Sequence, residues 1–179
     1  GVNTGKYNTV GHENVAIGVN NMSKNITGFW NTVIGKDCMS FNTTGSRNCA
    51  LGYLALNKNV SGHRNVAIGS FALADNTDGM NNIALGADSL WVNTTGSYNV
   101  GIGLASLSAN TVGTYNVGIG VASLTSNVAG NFNVGLGFNT LVYSASGDNN
   151  IALGNCALCY SKNSHYPSLQ NNILQKCDQ

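Results

Sequence analysis

The chain has 179 residues, 42% apolar but only 8% charged, with 23 Gly, one Pro and a net charge of +1. So weak a positive charge excludes a nucleic acid or an anionic membrane surface as partner, since both require a clustered basic face. No apolar run has the length of a membrane-spanning helix, and the five cysteines (Cys38, Cys49, Cys156, Cys159, Cys177) are an odd number on which no disulfide scaffold is built.

In chain order, residues 1–13 form an incomplete copy of a unit that then repeats, with Asn8 and Gly11 on two of its marked slots. The chain therefore begins inside a coil, without Met, and is expected to be a piece of a longer protein. Asn14-Val-Ala-Ile-Gly18 opens the first full copy, and the leading Asn returns every 17 residues as Asn31, Asn48, Asn65, Asn82, Asn99, Asn116, Asn133 and Asn150. Nine copies without insertion or deletion predict a stack of equivalent coils, because a coil of different length would shift its neighbours out of register. The fold class is all-β, a parallel β-solenoid of 17-residue coils over residues 1–166.

With the Asn as slot 0, slots 1 and 3 are branched apolar residues such as Val15 and Ile17 or Val117 and Ile119, whose spacing of two places them on one face of a strand. Slot 4 is Gly, slot 8 is Leu or Met (Met22 and Met39, then Leu56 through Leu158), slot 11 is Asn from Asn25 to Asn127, and slot 14 is Gly from Gly28 to Gly147. The glycines suit corners. Asn residues one coil apart are placed to form amide ladders, foremost Asn14, Asn31, Asn48, Asn65, Asn82, Asn99, Asn116, Asn133 and Asn150.

Slot 2 lies on the opposite face of the strand and is nearly bare: Ala16, Ala50, Ala67, Ala84, Gly101, Gly118, Gly135 and Ala152, with Val33 the exception. The large residues are expected to fill the coil and the bare face to meet sister subunits, because close approach of another backbone excludes bulk. The competing reading is a single-chain solenoid whose small face meets the opposite wall of its own flattened coil.

Side chains with chemical capability are sparse. Glu13, His12, His63, Asp75 and Asp78 fall on variable slots of different coils and read as solvated surface, so no catalytic group and no cofactor is expected. Cys156 and Cys159, with His165 and Cys177, have metal-ligand types at loose spacing; free or disulfide-bonded cysteines are the preferred reading. Cys49 replaces Val in slot 1 and reads as a buried small hydrophobe. Glycosylation sequons begin at Asn21, Asn25, Asn42, Asn59 and Asn93, although an Asn- and Thr-rich repeat produces them by composition. Trp30, Tyr98, Tyr115, Phe132 and Trp91 either form sugar-stacking sites or pack against adjacent coils.

After Asn150 the pattern fails, with Ser161 and Ser164 where Asn and Gly are due and Pro167 at the next strand start. Leu169, Ile173 and Cys177 repeat at four-residue spacing, so residues 167–179 are expected to be a helical cap or the start of a coiled-coil neck.

Stretches such as Asn82 to Gly96 and Asn99 to Gly113, with Asn-apolar-small-Ile/Leu-Gly followed by Leu, Asn and Gly, resemble the head repeats of YadA-like trimeric autotransporter adhesins. Similar repeats occur in phage and viral fibres. The unit here is longer than the usual head repeat, and its Asn directly precedes the apolar residue where those repeats commonly interpose a Ser. The resemblance implies a left-handed β-roll, a homotrimer about a common axis, an extracellular place on a cell or virion surface, and a cell-surface protein or glycan as receptor. It designates no binding residue. A single-chain solenoid binding an ordered surface such as ice, and a self-assembling extracellular filament, are the alternatives.

Overall fold

The computed structural model describes residues 1–143 and 145–159. Nine strands, β1 (Val15–Val19), β2 (Thr32–Lys36), β3 (Cys49–Tyr53), β4 (Val66–Ile68), β5 (Ile83–Leu85), β6 (Val100–Ile102), β7 (Val117–Ile119), β8 (Val134–Leu136) and β9 (Ile151–Leu153), form one parallel sheet in chain order. Each residue pairs with the one 17 positions later, as in Val15 with Thr32 and Val100 with Val117. The protein is a parallel β-solenoid. The expected C-terminal helix or neck, with His165 and Cys177, lies outside the described residues.

Hydrogen bonding between coils continues beyond the strands. The slot 6 amide donates to the preceding coil (Leu54 to Lys36 O, 3.0 Å), and the slot 8 amide to the following one (Leu56 to Ala72 O, 3.0 Å). This up-and-down alternation accompanies left-handed backbone at both slots, with φ of 57° at Leu54 and 51° at Leu56. Slot 16 is left-handed too, at Trp30, Arg47, Arg64, Tyr98, Tyr115 and Phe132. Non-glycine residues adopt this conformation at a cost of about 1–2 kcal/mol each. Here the ladders above and below offset it. Glycine is retained at slot 4, where φ runs from 113° at Gly154 to 145° at Gly52.

The inside and outside of the coil are the reverse of the expectation. Slot 2 faces inward: Val33, Ala67 and Ala84 have 0% exposure and Ala50 and Ala152 1%, and Gly101, Gly118 and Gly135 are buried as well. Ala16, in the first strand, is partly buried and packs on the core. These residues therefore form no seam with sister chains; they are consumed inside their own coil. The reason is width. Leu90 lies so close that a Cβ on Gly101 would sit 3.3 Å from its Cγ, and Ser89 Oγ would be at 2.6 Å. With the slot 8 Leu or Met and the slot 7 residue filling the interior, slot 2 holds a methyl group or none in every coil but that of Val33.

Both Asn columns are also interior. Asn31, Asn65, Asn82, Asn99, Asn116 and Asn133 are buried. In the slot 0 column the Asn99 amide donates to Gly113 O at 2.8 Å, and Asn99 Oδ1 accepts the Asn116 backbone N–H at 3.0 Å. In the slot 11 column Asn93 Nδ2 donates to Asn76 Oδ1 at 2.8 Å and to Gly96 O at 2.9 Å. Each buried amide thus finds partners in its own coil and in a neighbour, which is how a polar group is kept in a core. Among the described residues, Asn127 Oδ1 is the buried side-chain polar atom without a partner. It ends that column, since the next slot 11 residue is Ser144.

Candidate functional site

The residues at slots 1 and 3 form the outer face of the sheet. Ile17 is 57% exposed, and Ile34, Leu51, Ile68, Ile119, Leu136 and Leu153 are likewise exposed. Cys49, expected inside, is a half-buried member of this outer face. Of the slot 1 and slot 3 residues only Thr32 is polar. On a pleated strand the two faces alternate, so packing slot 2 inward forces slots 1 and 3 outward.

The face has two flanks. Slot 5 carries Leu104, Val121 and Phe138, all exposed, in the uncharged half of the chain. Slot 16 carries Tyr98, Tyr115 and Phe132, whose rings stack at 4.8 and 5.0 Å with interplanar angles of 2°. Because these rings cover one another's faces, the middle of the column offers edges and has no face free to stack on a sugar. Trp91 instead meets Phe71, at 5.9 Å between ring centroids. In the first half of the chain slot 16 holds Glu13, Trp30, Arg47 and Arg64.

The other sequence candidates do not converge. His12 stacks on Phe29 at 5.2 Å, Asp75 pairs with Lys58 at 2.9 Å, and Asp78 accepts a hydrogen bond from Ser61 Oγ at 2.6 Å. Among the described residues no three His, Cys, Asp or Glu side chains come together as a metal group. Cys156 is half-buried and Cys159 buried. The five sequon asparagines, Asn21, Asn25, Asn42, Asn59 and Asn93, are all buried. Their Nδ2 atoms, which would carry a glycan, donate inside the coil, so the folded chain offers none of them for modification. Burial also pushes the Cys38 thiol up, which keeps it protonated.

Sequence reasoning missed slot 7, which is Asn21, Cys38, Ala55, Ala72, Ser89, Ser106, Ser123, Thr140 and Ala157, all buried. The signal was available: every residue in that column is small or uncharged. No helix among the described residues is long and apolar enough to cross a membrane. Comparison with protein-family models, curated proteins and solved structures returned no match.

Proposed function

We propose that this chain is a non-enzymatic structural segment of a trimeric attachment fibre, projecting from a cell or virion surface. The observation that carries the reading is the outer sheet face. Eight inter-strand steps of about 4.8 Å make it about 38 Å long, and four residue steps from slot 1 to slot 5 make it about 13 Å wide, with the slot 16 column left at its open edge. That is a footprint of roughly 500 Å², in the upper part of the range for the largest apolar patch on a soluble monomer, the kind of patch that marks an interaction site. Three chains turning this face to a common axis would seal it. The number three and the surface location rest on the resemblance of the repeats to trimeric adhesin heads and fibre proteins.

Ice binding has less support, because the hydroxyls of Thr43, Thr77, Thr94 and Thr111 donate to the carbonyl of the next coil and do not form a free outward array. Native mass spectrometry tests the assembly. A threefold mass is expected, and Ile119→Lys with Leu136→Lys should give a monomer that keeps its β circular dichroism. A wild-type chain that stays monomeric at micromolar concentration would refute the reading, and open-ended polymers would replace it with the filament.

A further inference from the structure

Arg47 and Arg64 occupy slot 16 of successive coils, and both are exposed. Among the described residues this is the one place where like charges fill the same slot of adjacent coils. Their backbones are fixed: the Arg47 N–H donates to Phe29 O at 3.0 Å and the Arg64 N–H to Ser46 O at 3.1 Å. The Arg47 guanidinium is held 4.8 Å from the Trp30 ring centroid and 5.8 Å from that of Phe29. Phe29 is braced by His12 on one side and meets Trp30 edge-on. Among the described residues neither arginine has a carboxylate partner, and Lys58 with Asp75 is the ion pair found there. Glu13, in the same column below Trp30, and Asp78, at slot 13 of the coil after Arg64, form no ion pair with either.

Two arginines on adjacent coils about 4.8 Å apart, unpaired with carboxylates among the described residues and with the Arg47 guanidinium oriented by aromatic rings, supply a fork for paired anionic oxygens. Trp30, 49% exposed, adds an apolar shelf beside the charges. A sulfated or carboxylated sugar combines both features, carrying acidic oxygens and an apolar C–H face. A nucleic acid would need the basic column to continue, but the slots above Arg64 are Asn81 and Tyr98. We infer that Arg47 and Arg64, with the Trp30 ring beside them, bind an acidic saccharide.

This deepens the attachment reading by giving the fibre a ligand class, and mass and binding should be measured on the same sample so that their failures separate. A heparin-derived octasaccharide, titrated calorimetrically into the assembled protein at physiological salt, should bind saturably, while a neutral dextran oligosaccharide should not. Arg47→Gln with Arg64→Gln should weaken binding by about tenfold or more, as loss of charge-assisted bidentate contacts does. Lys24→Gln with Lys58→Gln, which removes the same charge from another wall, should weaken it by less than about twofold. No saturable binding, or equal losses in the two double variants, would overturn the site. A trimer that fails to bind sinks only this assignment, whereas a monomer that binds sinks only the seam.

Discussion

In the middle coils, slots 7 and 2 of successive coils vary together, although Asn21 with Val33, Cys38 with Ala50 and Thr140 with Ala152 nearer the ends do not follow. The pairs Ala55 with Ala67 and Ala72 with Ala84 give way to Ser89 with Gly101, Ser106 with Gly118 and Ser123 with Gly135. In the latter three the serine hydroxyl donates to the glycine carbonyl, at 2.9, 2.8 and 2.9 Å. It also occupies the space a methyl group would need, since a Cβ on Gly101 would lie 2.6 Å from Ser89 Oγ and 3.2 Å from Ser106 O. Gly101→Ala alone should therefore overpack the coil and cost about 1–3 kcal/mol. Ser89→Ala alone removes one buried hydrogen bond, about 1 kcal/mol. Ser89→Ala with Gly101→Ala recreates the pair used two coils earlier, and Ala in extended backbone adds about 0.4–1 kcal/mol through the unfolded state. The double variant is expected within about 1 kcal/mol of wild type, a coupling of roughly 2 kcal/mol. Urea titrations of the four proteins at one chain concentration, followed by circular dichroism, read this directly. Additive losses, with the double variant the least stable, would refute the volume exchange.

Asn99→Ala leaves the buried Asn116 N–H and Gly113 carbonyl without their side-chain partner, which should cost about 2–6 kcal/mol in the same titration. A loss under about 1 kcal/mol would remove the ladder from the account of stability. Ala105 has φ of 54°, so Ala105→Gly should be neutral or stabilising by up to about 1 kcal/mol, the opposite of its usual sign. A clear fall in the denaturation midpoint would contradict this. Since burial raises the Cys38 pKa, the fold favours the thiol, and the stability it contributes is present below the unfolded thiol pKa and lost as pH rises above it. Maleimide labelling near pH 8 should leave Cys38 unmodified until unfolding, while Cys49 should react in the outer-face Lys variant and be protected in the assembly; early labelling of Cys38 would count against its burial.

The register, the parallel order and the positions of both Asn columns were readable from the repeat, because every coil must reproduce the hydrogen-bonding positions of its neighbour. The interaction surface was readable only in part. Its Val, Ile and Leu residues stood out, but were assigned to the core on the rule that large apolar groups are buried. That rule runs one way and does not exclude an apolar exterior. The column of Ser facing Gly was visible as letters, while its meaning depended on knowing that slot 7 of one coil meets slot 2 of the next.

By itself, then, the order of residues determined a solenoid with a period of 17 and its amides stacked coil over coil, while the corners expected at the glycines fall largely on the non-glycine slots 6, 8 and 16. Which side of each strand faces in was decided only in three dimensions. The alternation of large and small residues is equally compatible with either orientation until the interior width is known. That width is set by the left-handed corners at slots 6, 8 and 16 and by the Leu and Asn columns they turn inward. A space so narrow takes alanine or glycine at slot 2 in every coil but that of Val33, and the branched residues of slots 1 and 3 are left to face outward.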